Sequence, residues 1–273
     1  MDNLADKKYW DHVYKGQKAN IVALGKKEEK PSWAIKSAIT DFGGFLLWNI
    51  IFKRYLPIDE KIKIMEIGSA PGKYLIRFNK ELKYEPYGVE LSDTGYRLNV
   101  KNFEEAGLKT ENVIKSDFTD QIFQKKYEEH FDVIYSRGFI EHFTDPSKAI
   151  DYHLALLKRG GFLVIIIPNL KGINYYLAKL TNPISFSKHN FNIMNYKKFK
   201  NLFDRRDLEP LCCRYFGVFN FGLFNADKKW KEFILLWLRR FQYLLNFVFF
   251  TLRKIDLESG LFSPYLIYIG KKK

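Results

Sequence analysis

Two carboxylates, a run of small residues between them and two histidines further along are the residues of this chain best suited to chemistry. Glu66, Gly68, Ala70 and Gly72 form an acid-x-G-x-A-x-G turn directly after an apolar run of Ile64, Met65 and Ile67, and Glu90 ends the next short apolar segment. Glycine and alanine let a backbone turn sharply and lie against a ligand where a larger side chain would intrude. A carboxylate at the end of a second strand can accept two hydrogen bonds from a ribose diol. His142 follows the segment FDVIYS at 131–136 and titrates near neutral pH, as a group that removes a hydroxyl proton should. His189, in the polar stretch SFSKHNFNIMNY, is a second candidate base, and either histidine can equally be structural. Glu141 can orient His142, accept from a substrate, or cap a helix. Asn169, after Pro168, offers a donor and an acceptor to a substrate hydroxyl.

Spacing separates the turn from two other glycine-rich loops. A G-x-G-x-x-G loop counted from Gly68 needs glycine at 70 and 73, where Ala70 and Lys73 stand. A phosphate loop fails because Gly68 to Gly72 is one residue short and Tyr74 holds the hydroxyl position.

The elements that must position these residues alternate strand and helix. Apolar runs at 64–67, 112–115, 131–136 and 162–167, and a short segment ending at Glu90, read as mostly parallel strands. Ser92 or Asp93 can cap a helix from Thr94 to about Ala106, ended by Gly107. Asp145 and Pro146 start another, at 147–158, closed by Gly160 and Gly161. Runs at 208–216 and 264–270 supply two further strands, with Lys271 to Lys273 trailing into solvent, and 195–203 reads as a helix. The pattern predicts an α/β fold with a doubly wound, seven-stranded, mostly parallel sheet of Rossmann type, in which ligands bind beyond the carboxyl ends of the strands.

The acid-x-G-x-A-x-G turn with Glu90 resembles the first motif of class I S-adenosylmethionine (SAM) methyltransferases. The stretches FDVIYSRGFIEHF and LLKRGGFLVIIIPN are similar to the small-molecule O-methyltransferase branch that includes ubiquinone-biosynthetic and glycan methyltransferases. The resemblance covers about residues 60–170. It implies that SAM is held by Glu66, Gly68, Ser69, Ala70, Gly72, Glu90, Leu91, Asp117, Phe118 and Ser136, with Glu90 on the ribose, Asp117 accepting from the adenine amino group and Phe118 covering its ring. It places Arg137, Glu141 and Asn169 on the acceptor side and His142 or His189 as the base. Some relatives hold Mg²⁺ through two glutamates three residues apart plus the next histidine. Here Gly138 replaces the first glutamate, so no protein-bound metal is expected.

Charge is unevenly placed. Residues 1–170 hold 26 Lys+Arg against 24 Asp+Glu, whereas residues 171–273 hold 19 against 7. Nearly all of the net +14 therefore sits in the last 103 residues, which suits an anionic partner such as lipid, a phosphorylated substrate or, less favoured, RNA, or else a solvated basic face. Two adjacent cysteines, Cys212 and Cys213, give no disulfide framework and point to a reducing cytoplasm. MDNLADKKYW lacks a secretory apolar core.

Residues 1–56 are expected to form N-terminal helices and a lid, in which Trp10, Tyr14 and Trp33 line the pocket or pack onto the domain. A lysine-rich connection with Lys26, Lys27 and Lys30 follows the first helix, and a helix at 37–55 precedes the first strand. Residues 57–273 form the SAM-binding domain, with a substrate-side insertion at 171–206 and an amphipathic helix at 228–254. That helix carries Trp, Phe and Leu with Lys228, Lys229, Lys231, Arg239, Arg240, Arg253 and Lys254. Its longest uncharged run, 241–252, is 12 residues, too short to span a bilayer. A peripheral anionic membrane surface, a homodimer contact and a cover over the site are its three readings. The sequence thus implies SAM-dependent O-methylation of a small-molecule, saccharide or lipid-linked glycan acceptor. The alternatives are an RNA methyltransferase and a membrane-associated SAM-fold protein without turnover.

Overall fold

The computed structural model describes residues 2–15, 31–205, 207–253 and 257–273; Lys26, Lys27, Lys30, Lys254 and the Trp33 side chain lie outside what is described. Strands β1 (Lys63–Ile67), β2 (Glu85–Glu90), β3 (Val113–Lys115), β4 (Phe131–Arg137), β5 (Leu157–Pro168), β6 (Leu208–Phe216) and β7 (Tyr265–Lys272) form one sheet in the order β3-β2-β1-β4-β5-β7-β6. The first five run parallel, and β7 is antiparallel to both β5 and β6. The order reverses between β1 and β4, which opens a crevice at their carboxyl ends.

Helices α1 (Lys7–Tyr14), α2 (Pro31–Thr40), α3 (Phe42–Leu46) and α4 (Lys53–Tyr55) precede β1, and α5 (Lys73–Leu82) and α6 (Asp93–Glu105) follow β1 and β2. Next come α7 (Gln121–Lys126), α8 (Pro146–Leu156), α9 (Ile173–Thr181), α10 (Pro183–Phe186), α11 (Tyr196–Asn201) and α12 (Lys229–Thr251). Both sheet faces are covered, as the near-continuous apolar strands require. Trp48, Phe52 and Phe78 pack on Ile64, Val133 and Ile166 on one side, and Ile150, Leu154 and Phe199 belong to the cluster on Met65, Ile134 and Ile165 on the other.

Three boundaries differ from the sequence reading. The helix expected at 37–55 is interrupted because Asp41 acts as a fresh N-cap, its Oδ1 accepting from Gly44 N at 2.9 Å, and a six-residue π-helical stretch, Leu47–Phe52, follows α3. β5 begins at Leu157, which pairs with Phe131 ahead of a register shift, so α8 stops two residues earlier than expected. The terminal lysines do not all trail into solvent: Lys272 lies in β7, and its Nζ donates to the carbonyls of Leu154 and Leu157 and to Glu129.

Helix α12 is 23 residues long and, by length and composition, apolar enough to cross a membrane. The 12-residue run understated it because Arg239 and Arg240 interrupt an otherwise apolar segment. In the folded chain it lies along α2 and α3, with Phe249 against Phe42 and Phe250 against Phe45. Its amphipathy is partly inverted, for the inner side buries two amides as well as Leu235. The side packed on the protein carries buried Gln242 and Asn246, while Trp230, Phe233, Trp237 and Leu244 on the outer side are each more than half exposed. Gln242 joins Phe221 N, Phe219 O and Asn246 Oδ1, and Asn246 Nδ2 donates to Ile39 O at 2.9 Å. Asn246→Ala should therefore destabilise the fold by about 1–3 kcal/mol in urea unfolding, since it strands two buried partners. Phe241→Ser on the outer side should stay within about 0.5 kcal/mol of wild type.

Candidate functional site

A cavity of about 930 Å³ opens beyond the carboxyl ends of β1, β2 and β4. Its floor is the turn between β1 and α5, where Gly68 and Gly72 both take positive φ (71° and 86°). A Cβ on Gly68 would lie 2.6 Å from the Phe139 ring, so only glycine fits there. Glu90 is 5 % exposed and fixes this turn: Oε2 accepts from Ala70 N at 3.2 Å and Oε1 from Ser92 N at 2.9 Å. Each oxygen keeps a further lone pair for a ligand diol. Burial pushes the Glu90 carboxyl upward, and the N–H groups of Ser92 and Ala70 oppose it.

Glu66 lies deeper, with Oε2 buried and without a partner. Burial raises its carboxyl well above the usual range, against the pull of Lys73 and Arg137. The Arg137 guanidinium sits between the rings of Tyr74 and Tyr265, 4.9 and 4.4 Å from their centroids. An orphaned buried carboxylate, a glycine cradle and a second carboxylate with free lone pairs, all on one cavity wall, fit SAM. When bound there it supplies an electrophilic methyl group.

Helix α1 forms the roof. Asp11 Oδ1 accepts from Ser92 Oγ and Thr94 N, and these bonds hold its carboxyl far below the ordinary range. Lys7 bridges Asp11 and Asp93. Tyr14 donates to Ala70 O at 3.3 Å, Trp10 meets His142 edge-on with centroids 5.0 Å apart, and both line the cavity.

At the other end stand Glu141, His142 and His189, whose nearest ligand atoms all lie within 4.8 Å of one another. His142 Nδ1 donates to Lys188 O at 2.7 Å and His189 Nδ1 to Ser185 O at 2.8 Å. A carbonyl only accepts, so each proton is on Nδ1 and each Nε2 lone pair is free. The two loops are tied by Asn190 N to Glu141 O at 2.7 Å. Both Glu141 oxygens are buried without a hydrogen bond. Burial pushes its carboxyl up to about 8; the N–H groups of Phe139 and Glu141 oppose this, though neither reaches hydrogen-bonding geometry. Burial and the neighbouring His189 push His142 down to about 3, and burial lowers His189 as well. His142 is therefore a far weaker base than its residue type suggested. The expectation of no metal counted donors only along the local chain; folding adds His189 to Glu141 and His142.

Leu91, Asp117 and Phe118 also line the cavity, as Glu66, Gly68, Ala70 and Glu90 do. Asp117 is exposed at the rim, and its Oδ1 is occupied by Thr119 N and Oγ1, which leaves the other oxygen for a ligand. Four expected site residues point elsewhere. Ser69 Oγ accepts from Asn99, Gly72 faces α6, Ser136 Oγ meets His153 Nε2 at 3.1 Å, and Asn169 donates to Ser263 O and Gly260 O. Lys73, Tyr74 and Tyr265 line the cavity without having been singled out; the first two adjoin Gly72 in sequence, while nothing local marked Tyr265.

A model of a methyltransferase domain matches residues 45–212. The structure is similar to geranyl diphosphate C-methyltransferase from Streptomyces coelicolor A3(2), solved with Mg²⁺, geranyl diphosphate and S-adenosyl-L-homocysteine (11 % identity, 98 % of each chain, TM-score 0.59). It is also similar to a possible histamine N-methyltransferase from Thermotoga maritima (16 % identity, 89 % of this chain and 95 % of that one, TM-score 0.53). A third similar structure is a putative methyltransferase bound to the Trm112 activator of Haloferax volcanii (14 % identity, 91 % and 99 %, TM-score 0.52). No curated protein matches the sequence.

The Ser136–His153 pair beneath the site gives a pH signature. Burial holds His153 down to about 4, below its ordinary value near 6.5. Between these values the unfolded chain binds the extra proton, so stability falls as pH drops from 6.5 toward 4, by up to roughly 3 kcal/mol. Denaturant midpoints measured at pH 7 and pH 4.5 should converge by that order in His153→Gln relative to wild type.

Proposed function

From the premise that this chain belongs to the methyltransferase-domain family and is a SAM-dependent enzyme, we propose that its acceptor is a hydroxyl on an amphipathic small molecule or lipid-linked saccharide, met at an anionic membrane surface. One observation carries this reading: the outward apolar face of α12 adjoins the cavity mouth. Asp227 N donates to Thr181 O and Lys231 Nζ to Leu180 O, so the start of α12 is joined to the end of α9. Thr181, Ile184 and Asp227 line the cavity, while Leu180 and Ile184 are about two-thirds exposed beside the aromatic face of α12.

Trp, Phe and Leu on the outer face, with Lys229 and with Arg240 folded over Trp237 at 4.9 Å, provide apolar area for the acyl boundary and cations for headgroups. An acceptor rooted in that layer would reach the cavity without leaving the lipid. Within the cavity, transfer forms an O–CH₃ bond as the C–S bond breaks in line. The hydroxyl proton passes to a carboxylate oxygen of Glu141 at the polar end of the cavity, beside His142 and His189.

Incubation with methyl-labelled SAM and an extract of the source cells should place label in the lipid or lipid-linked glycan fraction. Label confined to RNA, to protein or to no fraction contradicts the proposal. Vesicles containing phosphatidylglycerol should sediment the wild type, and Trp237→Glu with Phe241→Glu should abolish this; a concentration-dependent dimer without lipid binding would assign the face to a second copy. For the cofactor, Gly68→Arg should abolish calorimetric binding of S-adenosylhomocysteine. Glu90→Ala should weaken it roughly tenfold or more, the worth of two buried hydrogen bonds.

A further inference from the structure

We infer that Glu141, His142 and His189 form a binding site for one divalent transition-metal ion of the zinc, manganese or iron type, with its open side toward the acceptor end of the cavity. The inference concerns the metal alone and holds whichever acceptor the enzyme takes.

Three observations carry it together. The donors come from two loops, Glu141 and His142 from one and His189 from the other, and the fold brings their ligand atoms within 4.8 Å. A metal bonded at about 2.0–2.2 Å needs its donors roughly 3.4 Å apart, so a small side-chain contraction completes the set. Second, both imidazoles are locked by backbone carbonyls in the tautomer that leaves Nε2 bare, the outer-shell arrangement of histidines that bind metals. His142 Nε2 stands 3.8 Å from Glu141 Oε1, and the imidazole centroids are 4.6 Å apart. Third, Glu141 is fully buried and neither oxygen has a hydrogen-bond partner. Such a carboxylate is costly unless a cation or a donor faces it. The two histidines turn lone pairs, not protons, toward the cluster.

Donor chemistry selects the ion. Two imidazoles and one carboxylate suit zinc, manganese or iron, whereas magnesium and calcium prefer oxygen donors and keep several waters. Three protein ligands leave at least one coordination position for an outside oxygen. The cluster lines the cavity, so that position is where an acceptor hydroxyl would sit.

The loop contacts explain how the site is held before any ion arrives. Asn190 N donates to Glu141 O and Asn190 Nδ2 to Phe143 O, which fixes the His189 loop against the turn that carries Glu141 and His142. The edge of Trp10 closes the outer side of His142.

The test is Co²⁺ titration of the full-length protein after chelator dialysis, read by visible absorption and by metal analysis. One equivalent of Co²⁺ per chain should bind with d–d bands and be displaced by Zn²⁺. His189→Ala and Glu141→Gln should each weaken binding by more than about 100-fold, the upper end of what losing an outer-shell partner costs. His189→Cys should restore binding and add a thiolate-to-cobalt charge-transfer band, a positive signal even if the alanine variant folds poorly. Wild-type protein that binds no stoichiometric Co²⁺ or Zn²⁺, or unchanged bands in a folded His189→Ala, overturns the inference.

Discussion

The position of the Glu90 carboxylate is the constraint on which the rest of the site depends. It is nearly dry, and its two oxygens take N–H donors from opposite sides, Ala70 in the β1–α5 turn and Ser92 at the head of α6. Ser92 in turn caps α6 through Gly95 N and donates to Asp11 in the roof helix. One buried acid thus sets the turn, the start of the next helix and, through one further hydrogen bond, the roof helix α1. Removing its charge would loosen a junction that Tyr14 on Ala70 O, Thr94 N on Asp11 and Asn99 on Ser69 Oγ also help to hold.

Much of this was legible in sequence because it is local. Small residues in a turn, a cap three residues before a helical run and strands of continuous apolar residues each leave a short-range signature. Strand ends, however, name the right edge of the sheet without naming the face. Ser136 and Arg137 are neighbours on β4, yet the serine points toward α8 while the arginine reaches the cavity, as a period of two demands. Asn169 fails differently, since its amide is spent on the carbonyls of Gly260 and Ser263, more than 90 residues away. The meeting of His189 with Glu141 is likewise a product of loop packing that no local pattern encodes.

Helix α12 shows why composition alone misplaces an amphipathic element. A helix rich in Phe and Leu would ordinarily bury its apolar stripe. Here Gln242 and Asn246 face the protein because the segment beneath them, at Phe219, Phe221 and Ile39, presents unpaired backbone groups that need partners. Satisfying those groups inside is worth more than hiding a few additional side chains, and the aromatic stripe is left outside. An exposed aromatic surface of this kind marks a face that another surface covers.

The charges along the cavity suit a reaction that removes charge. Methyl transfer discharges the sulfonium of SAM, so an enclosed, weakly polarisable site favours the transition state, in which that charge is already dispersed. The same enclosure penalises ionised side chains, and the structure shows the penalty: Glu66 and Glu141 are pushed up and His142 is pushed down, each chiefly by burial. Near Glu66 the penalty is met by the cations Lys73 and Arg137. At Glu141 no cationic side chain among the described residues contributes, and the two imidazoles beside it donate from Nδ1 to backbone carbonyls, which leaves each Nε2 lone pair bare. The buried carboxylate at the Glu66 end of the cavity thus has cations beside it, whereas the one at the Glu141 end faces two neutral imidazoles.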